Sequence, residues 1–327
     1  MAQPAETPKV AVAVVSWNTR ELLDRCLRSL QPEAERGLVE AWVVDNASGD
    51  GSAEMVRDRF DWVRLVASEE NLGFGRAVNL VAARTKTEWL APANADVALR
   101  PGALEALLEA AVGDPGAGAI APRLVLPDGS TQHSVFGFPS IAFALVLQTD
   151  AFRVWHGLGD RMAIPGYWDW RRARRVPWAV AALLLVRRRA WEAVGGFDER
   201  QWMYAEDLDL GWRLRQAGWA TRYEPRALVD HTESASTTQA WGRELAPVWQ
   251  RSTYAFMARR LGMTRTWLIA LINFVGQAAR WLALLPAARR QPDRHRAYHE
   301  ALGRWVMVHA RAMRGRARVE VEPPSVP

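Results

Sequence analysis

Four short apolar runs punctuate the first hundred residues, and each leads into a polar cluster followed by a segment patterned like a helix. Val10–Val15 stops at Ser16-Trp17-Asn18, and Ala41–Val44 stops at Asp45-Asn46-Ala47-Ser48. Val63–Ala67 precedes Asn71-Leu72-Gly73, and Glu88–Ala91 leads to Asn94-Ala95-Asp96. Runs this short and this rich in small or β-branched apolar residues read as strands buried on both faces. Between the first two, Leu22, Leu23, Cys26, Leu27 and Leu30 fall at helical spacing, with Thr19 placed to cap them and Pro32 and Gly37 to break the pattern. Strands alternating with helices specify an α/β fold with a mostly parallel sheet and right-handed crossovers. Such sheets bind ligands at the carboxyl ends of their strands. Asn18, Asp45, Asn71 and Asp96 are therefore expected at one site.

Several chemistries are excluded or disfavoured. Gly73-x-Gly75 has Val78 at the third glycine position and follows the third strand, so it does not make a dinucleotide fingerprint, and no Gly-Lys-Ser/Thr phosphate loop is present. A single cysteine, Cys26, rules out an internal disulfide and a cysteine zinc cluster; it is expected as inert core. Met1–Pro8 is polar, so a tail without a secretion signal is expected there. The net charge of +6 is carried almost wholly by arginine, with lysine only at Lys9 and Lys86. Arginine suits phosphate recognition, and a G+C-rich genome produces the same bias. Nucleic acid is not an expected partner.

The pattern loosens after Gly116. Ala119–Leu126 reads as a strand, Pro127-Asp128-Gly129-Ser130 as a turn, and Phe136–Gly166 as loops and short helices. Trp178–Val186 is a nine-residue apolar run, expected as one buried strand; spanning a membrane takes about 20 residues. Gly195-Gly196-Phe197-Asp198-Glu199 turns the chain into a helix whose first turn carries Glu206, Asp207 and Asp209. The helix dipole accounts for one or two acids there, whereas three flanked by aromatics point to a site. Ala220–Tyr223 and Ala227–Val229 are short extended pieces, and Asp230-His231 follows them, which makes His231 a candidate ligand or phosphate contact. Asp96 can end a strand, cap a helix or hold a metal.

Together these segments resemble the family 2 glycosyltransferases, particularly their rhamnosyltransferase-like members. The resemblance covers roughly residues 9–235. It rests on Val15-Ser16-Trp17-Asn18, Val44-Asp45-Asn46-Ala47-Ser48, Asn71-Leu72-Gly73-Phe74-Gly75, Asn94-Ala95-Asp96, Val194–Glu199 and Met203–Leu210, in the family's order. It implies a glycosyltransferase-A fold, a Rossmann-like, mostly parallel central sheet flanked by helices. It also implies a nucleotide-diphosphate sugar donor (dTDP-rhamnose first among them), a divalent Mg or Mn ion, inversion at the anomeric carbon, and a saccharide or lipid-linked acceptor. Carried onto this chain, Asp45 binds the nucleobase or ribose, with Ser16 and Asn18 lining the pocket. Asn71, Gly73, Arg76 and Asn79 border the nucleotide and its phosphates. Asn94 and Asp96 occupy the Asp-x-Asp position, with Asp96 the main metal ligand and His231 a second ligand or diphosphate contact. Asp207 is the catalytic base, and Trp178 and Glu206 contact the acceptor. Two departures from the family are Ala95 for a common proline and Ala181-Ala182 for Gly-Ala, the latter narrowing the sugar pocket if that strand floors it. A sugar nucleotidyltransferase would need a glycine-rich triphosphate loop where Ser16–Arg20 stands. A non-catalytic sugar-nucleotide binder would lack an acid at 96 or 207.

The expected organisation is a tail over 1–8, a catalytic domain over 9–235, a helical region over 236–318 and a tail over 319–327. Trp241–Arg260 and Trp267–Leu285 read as helices, with Pro286 ending the second. Arg289, Arg290, Arg294 and Arg296 follow closely, and a helix lying in a membrane surface suits that arrangement better than a spanning one. A subdomain packed on the sheet and an oligomer contact are equally compatible. The enzyme so described is cytoplasmic, with peripheral attachment to the cytoplasmic face of the inner membrane as one placement.

Overall fold

The computed structural model describes residues 8–232 and 245–314. Residues 1–7 of the tail expected over 1–8, the tail over 319–327, the boundary at residue 236 and the helix start at Trp241 lie outside the described residues. In chain order the elements are β1 (Val10–Ser16), α1 (Arg20–Glu35), β2 (Val39–Asn46), α2 (Ser52–Arg59), β3 (Arg64–Ser68), α3 (Phe74–Arg84) and β4 (Trp89–Asn94). There follow β5 (Val97–Leu99), α4 (Ala103–Gly113), β6 (Ala117–Val125), β7 (Val135–Phe136), α5 (Ile141–Thr149), α6 (Ala151–Val154) and α7 (His156–Arg161). The remainder is β8 (Arg174–Val176), β9 (Trp178–Ala179), β10 (Leu185–Arg187), α8 (Arg188–Val194), α9 (Glu206–Gln216), β11 (Ala220–His231), α10 (Leu245–Arg260), α11 (Met263–Arg290) and α12 (Pro292–Met313).

The main sheet runs β3-β2-β1-β4-β10-β6-β11-β5, with β8 also paired to β11. β1, β2, β3, β4, β6 and β11 run in one direction, and β5, β8 and β10 oppose them. The strand order reverses at β1, between β2 and β4, which opens a crevice at the carboxyl ends of the strands. Val10, Val12, Val14 and Val43 of the sheet are wholly or almost wholly buried, as are Leu27, Leu30 and Leu107 of the helices above it. Each such side chain contributes about 2 kcal/mol by leaving water. Cys26 lies in this core, and burial with the Asp96 charge nearby pushes its thiol up to about 12, so it is inert.

Local expectations need correction at several points. Trp178–Val186 is not one strand: β9 pairs with β7 in a separate two-stranded sheet, β10 joins the main sheet, and Val180–Leu184 crosses between them. The alanine pair bends because its backbone bonds elsewhere, with Ala182 O accepting from Asn94 N at 2.8 Å. Ala220–Tyr223 and Ala227–Val229 are one strand with a register break between Glu224 and Leu228. Thr19 occupies the N-cap position of α1 without a side-chain cap; its hydroxyl lies 3.1 Å from Ser16 Oγ instead. Neither Pro32 nor Pro286 stops its helix. A proline removes one backbone donor, and Pro286 lies on an exposed side of its helix, four residues from its end.

Chain contacts divide the protein into two units: 1–136 with 169–240 and 323–327, and 137–168 with 241–322. Residues 137–168, expected within the catalytic domain, thus group with the C-terminal helices. Within that second unit, Arg280 of α11 donates to Leu147 O and Gln148 O at the end of α5, at 3.1 Å each.

Candidate active site

The register lines up the polar strand ends. Ser16 pairs with Asp45, Val15 with Asn94, and Asn46 with Ser68, so the carboxyl ends of β1 to β4 form one row. The loops above this row are laced together. Asn18 N donates to Ser48 Oγ (2.9 Å), Asn18 Oδ1 accepts from Gly49 N (2.8 Å), and Arg20 N donates to Asp50 (2.9 Å). Asn18 and Ala47 hold left-handed backbones, φ 51° and 60°, which these bonds maintain against a cost of about 1 kcal/mol each. Asp45 is buried, with Oδ2 accepting from Ser48 N at 3.0 Å and Oδ1 unpartnered. A buried carboxylate oxygen without a donor is costly. It marks where a ligand N–H or O–H fits.

A second orphaned set lies where β4 passes into β5. Antiparallel pairing sets His231 opposite Val97, and Thr232 N donates to Asp96 O at 3.0 Å, which clamps the turn carrying Asp96 to the end of β11. Asp96 Oδ1 and His231 Nε2 stand 3.2 Å apart with their side chains 8% and 5% exposed, and neither atom has a hydrogen-bond partner. Two ligands in neighbouring positions of an octahedral shell, with bonds of about 2.1 Å, lie about 3 Å apart. On the far side of the ring, His231 Nδ1 is 2.6 Å from Gln132 Oε1. An amide oxygen only accepts, so this bond places the proton on Nδ1 and leaves the Nε2 lone pair toward Asp96. The pair fits a divalent cation whose other positions are left to ligand oxygens; among the described residues no group of three or more acidic, His or Cys side chains is gathered. Gln132 was invisible in the sequence, since it follows a turn and belongs to no motif. The neighbouring Asp230 points to the other face of β11, where it pairs with Arg25 (3.0 Å) and Arg100 (2.7 Å).

The three acids of α9 divide their work. Asp209 is fully buried and bonds Arg213 at 2.6 Å, while Arg213 also donates to Val194 O, so this carboxylate anchors the helix. Tyr204 and Ala205 enter the helix through two consecutive left-handed residues, φ 61° and 62°, and Ala205 is the N-cap. That turn sets Glu206 and Asp207 beside the β9–β10 crossing. Asp207 accepts from Leu208 N (2.8 Å) and from Ala181 N (3.4 Å). Burial pushes the Asp207 carboxyl up to about 6, against those donors. Burial and the Asp207 charge push Glu206 well above the usual carboxylate range, and its Oε2 is unpartnered. Ionising Asp207 strengthens Glu206's hold on its proton, so the two carboxyls resist ionising together. The crossing also ties the two halves together, since Ala181 holds Asp207 and Ala182 holds Asn94.

A base with this proton affinity has a defined pH signature. Below its pKa the carboxyl is protonated and cannot accept a proton, so kcat/KM is expected to fall about tenfold per pH unit below about pH 6 and to level off above it. A profile flat from pH 5 to pH 8 rules out Asp207 as the base.

Other expected site residues are placed as supports. Asn79 clamps the Gly196-Phe197 turn, donating to Phe197 O and Glu199 Oε1 and accepting from Phe197 N, all at 3.0 Å. Its amide is thus engaged on both its oxygen and its nitrogen. Trp178, expected against the acceptor, is buried, with its ring 5.2 Å from Phe136 in a stacked arrangement and its Cβ against Gly211 of α9. It props α9 from beneath. Arg76 is exposed on the first turn of α3 and forms no ion pair with a described residue. Asn71 Oδ1 accepts from Gly73 N (3.0 Å), and Asn71 O accepts from Trp202 Nε1 (3.3 Å). Gly73, at φ 76° and ψ 175°, occupies a region open essentially to glycine alone, and a Cβ there would sit 2.5 Å from Trp202 O. Gly73→Ala is expected to cost about 3 kcal/mol, read as a Tm drop of several degrees; an unchanged Tm contradicts the close approach.

The glycosyl transferase family 2 model matches residues 11–144, and the glycosyl transferase family group 2 model matches residues 158–310. The N-acetylglucosaminyl-diphospho-decaprenol L-rhamnosyltransferase of Mycobacterium tuberculosis is 36% identical over 279 residues, covering 78% of this chain and 85% of that protein. The pre-mycofactocin glycosyltransferase of the same organism is 35% identical over 225 residues, covering 68% of this chain and 42% of its own length. A solved mannosyltransferase from Pyrobaculum calidifontis, in complex with GDP-Man and Mn2+, superposes with a TM-score of 0.58 at 18% identity, covering 95% of this chain and 89% of that one. The shared fold is glycosyltransferase-A.

Proposed function

Because the chain belongs to glycosyl transferase family 2, we propose that it moves L-rhamnose from dTDP-rhamnose onto a diphosphate-lipid-linked saccharide during cell-surface polysaccharide synthesis, with inversion at the anomeric carbon. The choice of sugar and acceptor rests on the printed activity of the 36% identical relative, which spans most of both chains. The observation that carries the mechanism is the separation of two acidic stations at one sheet edge. Asp207, with a proton affinity suited to a base, is joined through Ala181-Ala182 to the strand that delivers Asp96.

In this reading Asp45 Oδ1 accepts a hydrogen bond from the nucleobase or ribose, and Ser16 and Asn18 hold the loops around it. Asn71, Gly73 and Arg76 border the diphosphate at the start of α3, where backbone N–H groups and the helix dipole favour negative charge. Asn79 keeps the turn beside that helix in place. Asp96 and His231 Nε2 hold an Mg or Mn ion, positioned by Asn94 and Gln132. Such an ion supplies positive charge to the leaving diphosphate. The acceptor hydroxyl enters on the opposite face of the sugar. As its oxygen bonds to the anomeric carbon and the bond to the diphosphate oxygen breaks, the hydroxyl proton passes to Asp207. Glu206, still protonated, donates a hydrogen bond to the acceptor, and Trp178 supports the helix on which both acids sit. A lipid-linked acceptor places the enzyme at the cytoplasmic face of a membrane.

Thermal shift with a panel of nucleotide-diphosphate sugars and Mn2+ tests the donor. The native ligand at a hundredfold excess over Kd stabilises by about 2.7 kcal/mol, a shift of several degrees. dTDP-rhamnose is expected to give the largest shift, followed by transfer to a short-chain N-acetylglucosaminyl-diphosphate lipid. A UDP- or GDP-sugar that stabilises while dTDP-rhamnose is silent overturns the donor assignment.

A further inference from the structure

The second unit wears its apolar residues outward. Among the described residues, eleven large hydrophobic side chains are exposed, and all but Val112 belong to this unit. α11 shows the inversion most clearly. Its exposed stripe runs through Leu268, Val275 and Leu282, one heptad apart, with Ala279 and Pro286 between and beyond them. From Leu268 to Pro286, about 27 Å of helix, that stripe carries no polar side chain. Between Leu268 and Pro286, Asn273 and Arg280 face the protein instead: Asn273 bonds Gln148 of α5 (3.0 Å), and Arg280 bonds Gln148 (3.2 Å) and the end of the same helix. A helix on a water-facing surface has the opposite arrangement. Val154 and Trp155, 77% and 67% exposed, add to the apolar surface of the unit.

Charge identifies the occupant. Between Met263 and Arg314 there are nine arginines against Asp293 and Glu300, a net +7, so the whole chain's excess of +6 resides on α11 and α12. Arg289, Arg290 and Arg294 sit just past the end of the stripe and form no ion pair with a described residue. Apolar side chains bordered by unpaired arginines match a layer of acyl chains under anionic headgroups. α11 is long and apolar enough to cross a membrane, with a mean hydropathy of 1.6 over its best window. α12 packs along it, however, with Trp281 and His299 stacked at 5.0 Å, and brings Arg294, Arg296 and Arg304 that hydrocarbon does not tolerate. We infer that α11 lies in the plane of an anionic bilayer, its Leu268–Val275–Leu282 stripe among the acyl chains and the arginines around the α11–α12 turn on lipid phosphates.

The surface belongs to the second unit alone, and its test uses no donor. The purified full chain is floated with phosphatidylcholine vesicles with and without phosphatidylglycerol. Flotation is expected only with the anionic lipid. An arginine near such a surface is worth about a fivefold gain in partitioning, so R289Q/R290Q/R294Q is expected to bind about a hundredfold more weakly. V275E/L282E is expected to stay in solution. Both variants should keep the parental Tm and nucleotide-sugar binding, because the changed side chains are exposed. The inference is overturned if the parent does not float with anionic vesicles, or if V275E/L282E floats as the parent does. Retention after alkaline carbonate extraction also overturns it, since that means spanning. So does a dimer in light scattering that V275E/L282E dissolves, since the stripe then belongs to a second copy.

Discussion

Asp207→Asn is expected to lower kcat by about a thousandfold while the Kd for the donor stays within about twofold of the parent. The amide keeps the shape of the carboxyl but cannot take a proton. The hydrogen bond from Leu208 N survives, because the amide oxygen accepts as the carboxylate did. Its helix remains in place because Asp209, not Asp207, carries the ion pair to Arg213. Removing Asp207's charge also relieves Glu206, whose proton affinity is raised partly by that charge. Glu206 therefore titrates closer to the usual range in the variant, and any residual activity should show a different pH dependence. Equal losses in donor affinity and in rate would instead place Asp207 on the donor. Single-turnover transfer beside equilibrium donor binding separates the two.

Asp96→Asn is the second large effect. The parent is expected to bind the donor much more tightly with Mn2+ than with a chelator present, and the variant to bind equally in both. The reason lies in the orphaned pair: Asp96 Oδ1 and His231 Nε2 are buried, 3.2 Å apart and unpartnered. A neutral amide removes the formal negative charge and leaves His231 as the remaining protein ligand. A loss of about a hundredfold in metal-dependent donor affinity is expected, with rate falling at least as far. Gln132→Leu should give a smaller loss of the same kind, because the ring would keep its place but lose the bond that fixes its tautomer. If donor affinity in the parent ignores chelation, the metal assignment fails and the Asp207 prediction stands untouched.

Much of this was legible in residue order. The alternation from Val10 to Asn94 predicted the parallel half of the sheet, and strand ends at Ser16, Asp45 and Asn94 aligned as expected. The acids of α9 stood out because three carboxylates opened one helix. Their division did not, since only packing assigns Asp209 to Arg213 and leaves Glu206 and Asp207 as a like-charged pair. The run from Trp178 to Val186 was misread because a buried turn and a buried strand both look apolar. Its backbone donors and acceptors serve Asp207 and Asn94, and those bonds have no signature in the side chains.

The sequence by itself determined the parallel strands of the N-terminal half and the family, and it singled out the acids at 96 and 207. Those follow from local periodicity and short motifs, which act over a few residues. Tertiary structure alone decided that Gln132 bonds His231, that Asn79 bonds the Gly196-Phe197 turn, that Trp178 packs on Phe136, and that Asn273 and Arg280 of α11 face inward. Each of those depends on partners from 19 to 133 residues apart in the chain. No local pattern records which partners meet when the chain closes. The same closure turns the apolar stripe of α11 outward, and residue order alone left a packed subdomain equally open.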